Sequence, residues 1–167
     1  MDAAVPQAFS LQTDAALARA AAACEQHGAK LTELRRDVLG LILEAPGPAG
    51  AYELLERLRA RRPGAAPPTV YRALDFLLEQ RLIHRIERLA AFVGCLDEHA
   101  HEPGHDHAAQ FLICRGCGHV IEIEDAELAH ALAAAARRAG FSVARTTIEA
   151  EGLCAACAAR SAELPAA

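Results

Sequence analysis

Residues 111–122 read FLICRGCGHVIE, and residues 153–157 read LCAAC. Each stretch holds a Cys-x-x-Cys pair, Cys114/Cys117 and Cys154/Cys157, with 36 residues between Cys117 and Cys154. Four thiolates are what a tetrahedral Zn²⁺ takes in a closed structural site. Two intervening residues let a tight turn aim both sulfurs at one ion, and Gly116 and Gly118 give the first turn backbone freedom. Paired spacings of this kind point to a zinc knuckle. The alternatives are two unrelated buried pairs or a dithiol switch.

The flanks of the first knuckle alternate as strands at 110–114 and 119–124. A helical run from Asp125 to Ala139 stops at Gly140, and a strand from Ser142 to Ala150 leads into the second knuckle. The pattern predicts a small α/β domain over residues 108–158, with a disordered tail at 159–167. Its core is modest, and a zinc ion joining its first hairpin to its end would offset that.

The N-terminal half has a different pattern. Thr13 and Asp14 read as a helix start, Leu17, Ala20, Ala21 and Cys24 as its apolar stripe, and Gly28 as its stop. Thr32 starts a second helix, with Leu34, Val38, Leu41 and Ile42 inward and Pro46-Gly47-Pro48 beyond it. A third runs from Ala51 to Arg61 with Tyr52, Leu54, Leu55 and Leu58 facing inward. Pro67-Pro68-Thr69 opens a fourth, to about Gln80, because proline's missing N–H has no partner in a first turn anyway. Strands at 82–87 and 91–95 follow. Helices closed by a tight turn and then a hairpin make a winged helix-turn-helix. Over residues 1–95, ordered from about 14, this is the predicted DNA-binding domain, and 96–107 is a His-rich hinge. The whole chain is therefore expected to be α+β.

On the fourth helix Val70, Leu74 and Leu77 fall on the core face. Thr69, Tyr71, Arg72 and Asp75 are left outside, where a recognition helix carries its base-reading side chains. Rim packing of Tyr71 and pairing of Arg72 with Asp75 or Glu79 are the plainer alternatives. The net charge is −5, but it is uneven: residues 1–90 hold 12 Lys/Arg against 11 Asp/Glu, and 91–167 hold 5 against 11. Arg57, Arg59, Arg61 and Arg62 cluster, and such clusters act on phosphates within a Debye length, ~8 Å. They are candidate phosphate contacts, or a solvated helix face.

No apolar run approaches the ~20 residues that span a bilayer, and the start, MDAAVPQAFS, has no basic segment followed by an apolar one. A soluble cytoplasmic protein without a membrane or small organic partner is expected. Six cysteines, four in close pairs, fit reduced metal ligands there. His-Glu-x-x-His is absent and a four-cysteine site leaves no open position for water, so an enzyme is not expected. A thiol oxidoreductase would carry its Cys-x-x-Cys at a helix start, and a metal buffer would not need an Arg-rich helix before PPTVYRALDFLLEQ.

PPTVYRALDFLLEQ, the hairpin from His84 to Cys95, the His-rich linker, ICRGCG and IEAEGLCAAC occur in the order of the ferric uptake regulator superfamily, over about residues 14–158. The first and last of these most resemble the zinc uptake regulator branch. The resemblance implies a homodimeric, zinc-responsive repressor of zinc homeostasis genes that binds palindromic double-stranded operator DNA and dimerises through its C-terminal domain. It implies two Zn²⁺ per chain. Cys114, Cys117, Cys154 and Cys157 match the structural ligands; His84, Cys95, His107 and Glu122 match the sensing ligands. Two imidazoles, a thiolate and a carboxylate suit zinc, the sulfur disfavouring the all-N/O ligation of iron or manganese sensors. Sensing of iron, manganese or peroxide is the alternative within the superfamily. His99, His101, His105 and Asp106 match a weaker extra site of some members. By the same likeness, Glu56 and Arg59 are candidates for contacts between neighbouring dimers on DNA. The histidine that iron-type members carry in the strand before the last knuckle is missing from SVARTTIEA.

Overall fold

The computed structural model describes residues 8–95, 109–144 and 146–162. The chain divides into two compact units, Met1–Pro103 and Gly104–Ala167.

The first unit is helical with a small sheet. Its elements are α1 (Leu11–Gln26), α2 (Glu33–Leu43), β1 (Ala49–Gly50), α3 (Ala51–Arg61), α4 (Pro67–Glu79), β2 (Ile83–Ile86) and β3 (Ala91–Gly94). Helix α1 begins earlier than Thr13: Ser10 is its N-cap, its hydroxyl accepting from the Thr13 amide, while Thr13 itself is buried. Ser10 is the better cap because its side-chain oxygen reaches an orphan N–H of the first turn. Leu17, Ala20 and Cys24 form the buried stripe, and Gly28 ends the helix at φ +69°. Burial pushes the Cys24 thiol above its ordinary value, as for a small core hydrophobe.

Leu54, Leu55 and Leu58 of α3 pack with Val38, Leu39 and Ile42 of α2 and with Val70, Leu74 and Leu77 of α4 in one core. Tyr52 corrects the expected pattern: it is 73% exposed, because the inward stripe of α3 starts at Leu54. Before α1, Phe9 lies against Gly40, where any Cβ would run into its ring, and the Arg61 guanidinium sits 4.1 Å over the same ring.

The sheet order is β1-β3-β2, all antiparallel. The hairpin pairs His84 with Val93 and turns through a 3₁₀ segment, Glu87–Leu89, and Ala90 at φ +48°. Two-residue β1 gave no sequence signal; its pairing of Ala49 with Phe92 is a tertiary event.

The second unit contains β4 (Ala109–Cys114), β5 (Val120–Ile123), α5 (Ala126–Arg138), β6 (Thr147–Gly152) and α6 (Ala155–Ala162). Asp125 caps α5 through the Leu128 amide, and Gly140 follows it at φ +68°. Strand β4 is central, antiparallel to β5 and parallel to β6. Two expectations need correcting. Strand β6 starts at Thr147 rather than Ser142, and the second knuckle runs into a helix through Ala162 instead of a tail from 159.

Candidate metal centre and nucleic-acid interface

The four paired cysteines meet in the second unit. Strand β4 ends on Cys114, whose N–H donates to the His119 carbonyl at 2.9 Å, and the Gly118 N–H returns to the Cys114 carbonyl at 2.9 Å. Gly118 at φ +73° lets the turn close. The parallel register sets Cys114 beside Gly152, and the Arg115 N–H donates to the Gly152 carbonyl at 2.9 Å. That register delivers Cys154 next to the first knuckle, and α6 brings Cys157 one turn later. All four sulfurs lie within 4.8 Å of one another, with Cys117 and Cys154 at 3.9 Å.

This spacing fits zinc. Sulfurs ~2.3 Å from a tetrahedral ion are themselves ~3.8 Å apart. The surroundings fit as well. A Cβ at Gly116 would come within 2.9 Å of the Cys157 sulfur and 3.0 Å of its Cβ, so this position needs glycine. The Cys154 N–H donates to the Cys114 sulfur at 3.2 Å. That amide is the main reason the Cys114 thiol falls to about 6. Burial, followed by the neighbouring sulfurs, pushes Cys157 up to about 12. Four thiols this close cannot all ionise alone, and a divalent cation is what would let them.

The remaining sequence-selected ligands divide by unit. In the first, His84 lies on β2 and Cys95 just after β3, where its N–H donates to the Leu82 carbonyl at 3.1 Å. This pairing puts both side chains on one face of the hairpin, a ligand nitrogen of His84 within 4.8 Å of the Cys95 sulfur. Both are half-buried. In the second unit Glu122 sits half-buried on β5 opposite Phe111. His107 and the group His99, His101, His105 and Asp106 lie outside the described residues.

On α4, Tyr71, Arg72 and Asp75 are exposed and Thr69 is half-buried, while Val70, Leu74 and Leu77 are buried. The arginine cluster is largely taken up inside its own unit. Asp37, 13% exposed, accepts from Arg62 at 2.5 Å and pairs with Arg61 at 3.4 Å. Arg59 pairs with Glu56 at 2.7 Å and donates to the Ala65 carbonyl, and Arg57 lies 3.8 Å from Glu53. Exposed pairs are weak and readily exchanged for a phosphate, so Arg57 and Arg59 stay available. Arg61, 15% exposed and stacked on Phe9, is chiefly structural. Sequence reasoning missed that role, since Asp37 and Phe9 are far away along the chain. It also missed the exposure of Tyr52 on α3, which, like Tyr71 on α4, leaves an aromatic side chain facing outward.

Residues 26–151 match the Ferric uptake regulator family. The chain belongs to that family. Within it, the chain is 43% identical over 150 residues to the zinc uptake regulation protein of Escherichia coli (strain K12), covering 87% of this chain and 82% of the relative. It is 31% identical to the Mycobacterium tuberculosis (strain ATCC 25618 / H37Rv) protein of the same name, over 78% of this chain and 95% of the other. A solved zinc uptake regulator complexed with zinc and DNA is 38% identical with a TM-score of 0.83, covering 92% of this chain and 99% of that one. This likeness accords with the winged-helix arrangement of the first unit and the four-cysteine centre of the second. Among the described residues no helix is long and apolar enough to cross a membrane.

Proposed function

We propose that this chain is a zinc-responsive DNA-binding repressor of zinc uptake and homeostasis genes. The observation that carries this reading is the match, at 38% identity and a TM-score of 0.83, to a regulator complexed with zinc and DNA. The exposed Tyr71 and Arg72 on α4 and the four-cysteine centre supply the chemistry.

In this reading two zinc ions bind per chain. Cys114, Cys117, Cys154 and Cys157 hold the structural ion, which ties β4 to α6. His84 and Cys95 from the first unit, with His107 and Glu122 from the second, take the sensory ion as ligand. The pre-arranged His84–Cys95 pair supports the first half of that set. Holding one ion from both sides of the 96–107 hinge fixes the angle between the DNA-reading and dimerising parts.

A homodimer is supported by the apolar side chains left exposed in the second unit: Leu128 and Leu132 on α5, then Phe141 and Val143, the last three lining one shallow groove. Two copies would place their α4 helices ~34 Å apart, one turn of B-DNA, matching a palindrome. Moving the dimer from 1:99 to 99:1 in favour of that spacing takes ~5.5 kcal/mol, within what a four-ligand zinc site supplies. By linkage, operator DNA tightens sensory zinc by the same factor.

Arg72 suits bidentate contact to guanine, and Tyr71 a thymine methyl or phosphate. Arg72→Ala is expected to lose ~1–3 kcal/mol and relax specificity at one base pair. Unchanged discrimination in a binding-site selection would remove Arg72 from the readers. Cys95→Ser is expected to abolish zinc-dependent DNA binding while one zinc per chain remains. Loss of all zinc would instead merge the sensory and structural roles.

A further inference from the structure

The four-cysteine centre carries a charge problem that its ligands alone leave unsolved. Four thiolates around Zn²⁺ sum to −2, and residues 91–167 already hold 11 acidic side chains against 5 basic ones. Two of the acids, Glu149 and Glu151, lie on β6, the strand that leads into Cys154. Donors aimed at the sulfurs would relieve the excess, as hydrogen bonds around metal ligands generally do.

The Cys114 sulfur receives the Cys154 backbone N–H at 3.2 Å. Cys157 is buried, and its sulfur lies 2.9 Å from where a Cβ on Gly116 would stand. It receives a guanidinium: Nη2 of Arg160 lies 2.8 Å away. Both residues sit on α6 at i and i+3, so one helical turn delivers ligand and partner together.

We propose that Arg160 is a positioning residue for the four-cysteine centre, holding the Cys157 thiolate by a charged N–H···S contact and thereby slowing zinc loss and attack on that sulfur. This rests on the zinc reading of the four cysteines given above. The guanidinium takes up part of the thiolate's negative charge, making the sulfur less reactive toward an electrophile. It also fixes the Cys157 rotamer toward the other three sulfurs. Partners of metal ligands change metal affinity by about 10–100-fold, and an arginine on an exposed helix face belongs at the lower end.

The test uses the full-length zinc-loaded chain in a Cys95→Ser background, so that only the structural ion is counted. Zinc release to a chromogenic chelator would be timed for the parent, R160A and R160K, with helix content followed by circular dichroism. Alkylation by N-ethylmaleimide would be mapped by mass spectrometry. Alanine keeps the helix, and lysine keeps the charge while losing the planar fork. The expected result is release about tenfold faster for R160A, with Cys157 labelled early, and a rate close to the parent for R160K. Equal rates for the parent and R160A would overturn the role of Arg160. So would equal acceleration in R160A and R160K with a matching loss of helix, which would make the effect one of helix stability. A parent chain that carries no zinc on these cysteines would bring down the zinc reading and this inference together, whereas a zinc-loaded parent with unmoved variants brings down only the latter.

Discussion

The two units are held together by different means. In the first, α1, α2, α3 and α4 converge on a shared core in which Leu17, Leu54, Leu58 and Leu77 are fully buried. In the second, burial is concentrated on β4, at Phe111 and Ile113, and at Cys114 and Cys157. Helix α5 has no buried residue, and Leu128 and Leu132 on it remain about two-fifths exposed. A helix with such a stripe needs a partner surface, and a three-stranded sheet with so little core needs a staple. The first unit therefore carries its own core, whereas the second leaves the apolar side of α5 exposed and concentrates its burial on β4 and around the four cysteines.

Breaking the staple is expected to have the largest effect. Zinc binding at such centres amounts to roughly 10–16 kcal/mol in folding peptides. Cys154→Ser, or exhaustive chelation, is expected to release amide protection across β4, β5 and β6 while α2 and α4 stay protected in hydrogen exchange. Joint loss of protection in both units would refute the contrast. Next comes the core of the first unit. Leu58→Ala is expected to cost ~2–5 kcal/mol, read as a lower midpoint for that unit in urea, with zinc content unchanged.

A smaller effect sharpens the same contrast. Placing a Cβ at Gly40 displaces Phe9 and with it the Arg61 stack, so Gly40→Ala is expected to cost ~1–3 kcal/mol in the first unit only. The mildest test is pH. Loading zinc must displace the proton that burial keeps on Cys157, pushed up to about 12, whereas Cys114, drawn down to about 6, is mostly ionised at neutral pH. Fewer protons then favour the loaded form. Apparent zinc affinity of the second unit is expected to fall as pH drops from 8 to 6, by about tenfold per pH unit for each proton displaced. A pH-independent competition with a chelator of known affinity would contradict this.

Much of the architecture was legible because several local signals agreed. Pro67-Pro68 at a helix start, the stripe Val70, Leu74 and Leu77, and the Gly28 and Gly140 stops each have a local cause, and the helices appear where these placed them. The cysteine spacing likewise needed only a parallel β4–β6 pairing to bring four sulfurs together. What escaped was non-local. Strand β1 exists only through β3, and Arg61 and Arg62 find Asp37 from another helix. Helix α6 escaped for another reason: an Ala-rich run after a knuckle reads equally as a tail, and the anchor at Cys157 decides it. Tyr52 obeyed the apolar period yet points outward, because the buried stripe starts two residues later, at Leu54.

The most direct measurement is fluorescence anisotropy of a DNA duplex selected by the zinc-loaded protein from a random pool, titrated with the full chain and Zn²⁺, Fe²⁺ or Mn²⁺, with bound metal counted in parallel. The expected result is tight, palindrome-dependent binding with zinc alone, at two zinc ions per chain, and loss of binding when the count falls to one. Equal binding with one zinc and with two, or equal activation by iron or manganese, would contradict zinc-responsive DNA recognition.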